Sequence, residues 1–193
     1  MNLPNKLTLA RILLIPVFIA LVSLPGVNYA YLAAFAVFAT ASFTDYLDGY
    51  IARKNNLVTD FGKFADPLAD KILTTTAFLY MMMDGVCHPI VLVVIIVREF
   101  AVSGIRMVAA GSEEGEVIAA NIWGKVKTVG QMLSICFYYL LVGVQHIVPQ
   151  SALGQTHWPQ AVSGLLCWLV ALLTAVSGVQ YIWQNRRFII TAK

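Results

Sequence analysis

The chain has 193 residues, of which 59% are hydrophobic and only 12% charged, with a formal net charge of +3. A soluble domain carries roughly 25% charged residues, so this composition, with a mean hydropathy of +0.76, excludes an ordinary soluble enzyme and points to one integral membrane domain over residues 1–193. The aromatic residues lie in apolar stretches rather than among clustered bases, which excludes a nucleic-acid surface. Cys87, Cys136 and Cys167 are far apart with no CxxC pair, which excludes a disulfide framework and a zinc site.

A bilayer core needs about 20 mostly apolar residues per helix, and six such runs follow one another along the chain. The first is predicted from about Lys6 to Leu24, ending at Pro25-Gly26, and the second from about Tyr29 to Arg53. The third starts near Asp66-Pro67 and runs to Met83, before Asp84-Gly85. The fourth spans about Pro89 to Ala110, the fifth about Gly124 to Val144, and the sixth about Pro159 to Trp183, before Arg186-Arg187. Pro25 and the lack of a small-residue cleavage site argue against reading the first run as a secretory leader. The expected fold class is therefore all-α, a polytopic membrane protein with six transmembrane helices.

Cytoplasmic loops retain Lys and Arg. Six spans place Lys6, Arg11, Arg53, Lys54, Lys63, Lys71, Arg106, Lys125, Lys127, Arg186, Arg187 and Lys193 in or near one side, with only Arg98 deeper in a helix, and leave the opposite loops without Lys or Arg. Both termini are thus expected in the cytoplasm.

Four aspartates interrupt this apolar pattern. Asp45 and Asp48 are three apart in the second run, and Asp66 and Asp70 four apart at the start of the third, so each pair falls on one face of its helix. An aspartate near the centre of a membrane helix costs roughly 2.5 to 3.5 kcal/mol, and such residues usually serve a pathway, a partner or a site. The second helix runs toward the cytoplasm and the third away from it, so the pairs share a depth and converge. Four like charges in contact require protonation or a multivalent cation between them, and carboxylate oxygens suit Mg²⁺, Mn²⁺ or Ca²⁺ rather than zinc. The alternative, helix-end carboxylates neutralised by Arg53, Lys63 and Lys71, does not account for two facing pairs. Gly49 and Ala52 admit a ligand close to the backbone, Arg53 is placed to meet an anion at the helix end, and Gly62-Lys63 is expected to form a flexible turn with a cation beside the second pair. Acids, cations and small residues at a membrane surface suit a metal-bound pyrophosphate whose lipid part stays in the bilayer, while no P-loop is present.

The series Asp45-x2-Asp48-Gly49-x2-Ala52-Arg53-x8-Gly62-x3-Asp66-x3-Asp70 resembles the signature of the CDP-alcohol phosphatidyltransferases in every defined position. Three further segments look like the members that make phosphatidylglycerol phosphate: Pro4-Asn5-Lys6-Leu7-Thr8-x2-Arg11, Arg98-Glu99 to Arg106, and Trp123-Gly124-Lys125-Val126-Lys127-Thr128. The resemblance covers about Asn2 to Gln131. It implies a six-helix fold, a homodimer, two divalent metals (Mg²⁺ or Mn²⁺), CDP-diacylglycerol and glycerol 3-phosphate as substrates, and a bacterial cytoplasmic membrane with the site facing the cytoplasm. Asp45, Asp48, Asp66 and Asp70 would hold the metals, with Asp70 also the general base. Gly49, Ala52, Arg53 and Gly62 would bind the CDP-lipid.

An acceptor carrying a phosphate needs cations of its own, and Arg106, Lys125, Lys127 and Lys63 are the candidates, Arg106 and Lys125 first. Lys125 and Lys127 are two apart and point about 200° apart on a helix. Arg98 and Glu99 read as an internal ion pair rather than part of the site. His88, His146 and His157 read as polar residues of the opposite interface. Two other readings are a same-family enzyme with another acceptor, inositol phosphate foremost, and a transporter. Transport predicts a site near the bilayer midplane between repeats, and no related second half occurs.

Overall fold

The computed structural model describes residues 3–24, 26–54, 60–110, 122–149 and 155–186; of these, the backbone alone is described at 3–4, 45–54, 60–64, 66 and 110. The described residues form six α-helices and no strands: α1 (Leu3–Val22), α2 (Ala30–Lys54), α3 (Asp60–Met83), α4 (Pro89–Ala110), α5 (Ile122–Ile147) and α6 (Trp158–Gln184). Number, order and type agree with the expectation from the apolar runs. The largest difference in boundary is at α3, which begins at Asp60 rather than near Asp66-Pro67, with Pro67 inside the helix. A proline removes one bond to the carbonyl four residues earlier but does not prevent helix on its amino side.

Stretches Asn5–Val22, Ile122–Ile147 and Trp158–Gln184 are long and apolar enough to cross a membrane, and Ala30–Thr44 is a shorter apolar stretch. The other helices carry more charge, for a reason visible in the packing. Large apolar side chains such as Leu13, Phe100, Leu133, Leu172 and Val179 are exposed, while Arg11, Lys127, Gln131, Ser163 and Thr174 are buried. An apolar outside around polar groups turned inward is the arrangement that a lipid solvent favours.

Helix α1 packs on α2 and α3, α2 on α5, α3 on α4 and α5, and α6 on α4 and α5. The core runs through Phe18, Phe38, Leu73, Phe78, Tyr139 and Cys167. At Gly143 the helices come close: a Cβ there would lie 2.7 Å from the Leu32 backbone nitrogen, so only glycine lets α5 approach α2 this far.

The end opposite the basic residues is tied together by polar contacts, beside a cavity of about 390 Å³ bordered by Ser23, Tyr31 and His146. Gly85, at φ +76°, ends α3, and the Val86 N–H then reaches back to the Met81 carbonyl at 2.9 Å, a Schellman-type stop that favours glycine. Tyr31 and Tyr138 both donate to Asp84 Oδ2, at 2.7 and 2.6 Å, and Ser23 and Tyr80 pair at 2.7 Å. His88 Nδ1 accepts the Ile90 N–H at the start of α4, and His146 packs edge-on to Tyr31. Both histidines thus have local partners at this end.

Candidate active site

At the other end charged groups surround the space. A cavity of about 390 Å³ opens between α3, α4 and α5. Helix α3 contributes Asp70, Lys71 and Thr74; α4 contributes Arg98, Glu99, Ser103 and Arg106; α5 contributes Lys125, Lys127 and Gln131. The spacing of these residues is that of one helical face: Glu99, Ser103 and Arg106 lie four and three apart, and Lys127 and Gln131 four apart. An otherwise apolar helix therefore turns a single polar stripe to the cavity.

Asp70 is half-buried, and its carbonyl accepts the Thr74 hydroxyl at 2.9 Å, which fixes Thr74 against the helix. Lys71 donates to Ser103 Oγ, whose hydroxyl in turn donates to the Glu99 carbonyl at 2.8 Å. Glu99 is the hub of the charged wall. Its Oε1 pairs with Lys127 and lies 3.4 Å from Arg98 Nη1, while Arg98 Nη2 donates to Ser177 of α6 at 2.9 Å. The Asp70 and Lys127 charges are close enough to act on one another. Arg98 is seated between glycines, since a Cβ at Gly178 would lie 2.9 Å from its Cγ and one at Gly124 3.4 Å from Nη2.

Arg106 reaches the other way, donating from Nε to the Tyr181 hydroxyl at 3.2 Å with its guanidinium over the Tyr181 ring. Arg106 also borders the cavity, at its rim. Lys125 is exposed and Lys127 buried, as two residues pointing to opposite sides of a helix should be, yet both border the cavity because it wraps around that end of α5.

The cavity thus brings together Asp70, Arg106, Lys125 and Lys127. Asp45, Asp48, Gly49, Ala52 and Arg53 fall on α2, and Gly62, Lys63 and Asp66 on α3, but their side chains lie outside the described residues. The pair of Arg98 with Glu99 is present as expected from the sequence, and it borders the cavity instead of standing apart from it. Two features escaped the sequence reading. Glu99 as the partner of Lys127 has a visible signal, an acid inside an apolar run, the same signal that marks the aspartates. Gln131 has none, because a lone glutamine in an apolar helix is unremarkable until its burial is known.

Among the described residues no group of three or more His, Cys, Asp or Glu could hold a metal ion. Of the four aspartates of the signature, Asp45 and Asp48 fall on α2 and Asp66 and Asp70 on α3, and these two helices pack together. A set made only of carboxylate oxygens fits a hard divalent cation.

The family described as CDP-alcohol phosphatidyltransferase matches residues 1–176. The chain belongs to that family. Among curated relatives, the protein named CDP-diacylglycerol–glycerol-3-phosphate 3-phosphatidyltransferase of Bacillus subtilis (strain 168) is 42% identical over 195 aligned positions, covering 95% of each chain. The protein of the same name in Rickettsia typhi is 36% identical over 93% of this chain and 94% of its own. A probable phosphatidylglycerophosphate synthase of Mycobacterium tuberculosis (H37Rv) is 35% identical over 96% of this chain and 82% of its own. The family's fold and transferase class are those that the aspartate signature implies.

Proposed function

We propose that this chain transfers the phosphatidyl group of CDP-diacylglycerol to glycerol 3-phosphate, giving phosphatidylglycerol phosphate and CMP. The observation that carries the reading is the cavity that joins one carboxylate, Asp70, to Arg106, Lys125 and Lys127, since an acceptor with a hydroxyl at one end and a phosphate at the other needs both a base and cations. Relatives named for the same reaction, aligned along nearly the whole chain, support it.

The acceptor phosphate sits against Arg106 and Lys125, with Lys127 and Lys63 adding positive charge. Asp70 takes the proton from the primary hydroxyl as that oxygen attacks the phosphorus bearing the diacylglycerol. The bond from that phosphorus to the bridging oxygen of the pyrophosphate breaks, and CMP leaves. Two divalent cations, Mg²⁺ or Mn²⁺, held by Asp45, Asp48, Asp66 and Asp70, would neutralise the pyrophosphate and the developing charge on CMP. Gly49, Ala52 and Gly62 leave room for the CDP group, and Arg53 lies near its phosphate. Residues 1–193 act as one domain, all six helices cross the bacterial cytoplasmic membrane with both termini and the site in the cytoplasm, and the protein is a homodimer.

The test is CMP release by the purified protein from CDP-diacylglycerol, with glycerol 3-phosphate, inositol 1-phosphate or serine, with and without EDTA. Metal-dependent release with glycerol 3-phosphate alone is expected. Release only with inositol 1-phosphate would keep the chemistry and overturn the acceptor. Asp70→Asn should abolish turnover while CDP-lipid binding persists, and near-normal turnover would remove Asp70 as the base.

A further inference from the structure

Of the residues that border the cavity, Arg98 and Gln131 each hold a buried side-chain nitrogen that has no hydrogen-bond partner among the described residues. For Arg98 only Nε is unpartnered, and the rest of its guanidinium is engaged by Glu99 and Ser177. Gln131 is different. It is 3% exposed, and its Nε2 has no partner. A buried donor without an acceptor is destabilising, whereas a methionine or leucine of similar size would fill the same place without that cost. Gln131 borders the cavity, and although its Nε2 is itself enclosed, a turn of the amide brings it to a ligand there, which would supply the missing acceptor.

Its position says which part of the ligand that is. Gln131 is nine residues into α5, about 13 Å from the start of the helix, and one turn deeper than Lys127. The exposed cations Arg106 and Lys125 stand at the rim, so a phosphate held there directs the rest of a short acceptor inward, toward Asp70 and Gln131. The acceptor of the proposed reaction has two hydroxyls: the primary one attacks and belongs to Asp70, and the secondary one needs a partner of its own. The terminal torsion of a glutamine is broad, so the amide can turn to a ligand without movement of the helix.

We infer that Gln131 is a specificity-determining residue whose side-chain amide binds the non-reacting secondary hydroxyl of the acceptor. This rests on the acceptor reading above. The comparison that tests it uses 3-hydroxypropyl phosphate, which keeps the phosphate and the primary hydroxyl of glycerol 3-phosphate and lacks only the secondary one.

A site built to bond a hydroxyl discriminates against the analogue that lacks it, so the wild-type protein should favour glycerol 3-phosphate by at least about tenfold in kcat/KM. Gln131→Met should lower kcat/KM for glycerol 3-phosphate about tenfold, leave 3-hydroxypropyl phosphate unchanged, and so erase the preference. Gln131→Asn, which keeps the amide but withdraws it by one methylene, should also erase most of it and serves where the methionine variant does not fold. An equal fall with both acceptors, or a preference that survives substitution, would overturn the assignment. So would wild-type transfer to both acceptors without discrimination, which leaves the acceptor reading intact. Wild-type transfer to neither would overturn the acceptor reading and the role of Gln131 with it.

Discussion

Glu99 pairs with both Lys127 and Arg98, so the two ends of its buried ion pair should not be equivalent under substitution. The Lys127 side chain is 3% exposed and that of Glu99 16%. Glu99→Gln removes the negative charge and leaves the Lys127 ammonium buried with only the more distant Asp70 charge to offset it. Removing one partner of a buried pair costs about 3 to 5 kcal/mol, and the remaining Asp70 charge puts the expected loss at the lower end, about 3 kcal/mol. Lys127→Met is milder, because Glu99 keeps Arg98 at 3.4 Å and the methionine fills the volume of the lysine stem, so a loss of about 1 kcal/mol is expected. In the double variant no charge of this pair is stranded. Arg98 still loses Glu99, so the double variant should lose about 2 kcal/mol, less than the sum of about 4 kcal/mol for the single variants, giving a coupling of about 2 kcal/mol. Unfolding in mixed micelles titrated with a denaturing detergent, followed for wild type, both single variants and the double, measures all the terms. Additive losses, or a greater loss from Lys127→Met than from Glu99→Gln, would refute the picture of Glu99 as the shared anchor of the cationic wall.

Arg106→Ala should raise KM for glycerol 3-phosphate by about tenfold or more, the scale of a charged hydrogen bond, and change that for CDP-diacylglycerol little; equal changes in steady-state kinetics would count against a phosphate contact. Gly143→Ala should destabilise by about 1 to 2 kcal/mol, because the new methyl meets Leu32 backbone atoms at 2.7 and 3.0 Å and the strain outweighs the gain in helix propensity. Gly104→Ala, with nothing within 4 Å of its Cβ, should be neutral or stabilising in the same unfolding assay, and equal effects at the two positions would defeat the steric account. Asp84→Asn should cost about 2 kcal/mol by weakening two hydrogen bonds to a charged acceptor while CMP release at saturating substrate persists. Loss of turnover in a protein of unchanged stability would show that the far end of the bundle takes part in the reaction.

The number and order of the helices could be read from the sequence because each arises from a long, mostly apolar run bounded by turn or charge signals. Five of the six helix starts fall within three residues of those expected. At α3 the reading took Asp66-Pro67 as a start signal, as proline at a first helical position often is, whereas the helix continues through Pro67 from Asp60. The acids and cations were legible for the complementary reason, that charge in an apolar run is costly and is retained only for a use. Pairing was not legible. Glu99 is adjacent to Arg98 in sequence, but its second partner, Lys127, is 28 residues away and meets it only when α4 and α5 face the same cavity. Gln131 carries no charge and interrupts no pattern, so only its burial without a partner distinguishes it.

The two ends of the bundle spend their polar groups differently, and that difference separates structure from chemistry. At the Asp84 end, donors and acceptors meet within the protein: two tyrosine hydroxyls converge on one carboxylate oxygen, and Ser23 meets Tyr80. This network ties α1, α2, α3 and α5 together, beside a second cavity of about 390 Å³ bordered by Ser23, Tyr31 and His146. At the Asp70 end the charges are balanced in part, through Glu99, while Gln131 Nε2 and Arg98 Nε are buried without a partner among the described residues, and the rim cations border an open volume. Low dielectric makes an unanswered polar group costly, so this incompleteness has to be offset, and binding a polar, phosphorylated acceptor offsets it. By the same reasoning an acceptor without its hydroxyl leaves the Gln131 amide as unsatisfied as it is in the free protein, which is how a cavity of a few side chains selects a polyol phosphate over a simpler alcohol.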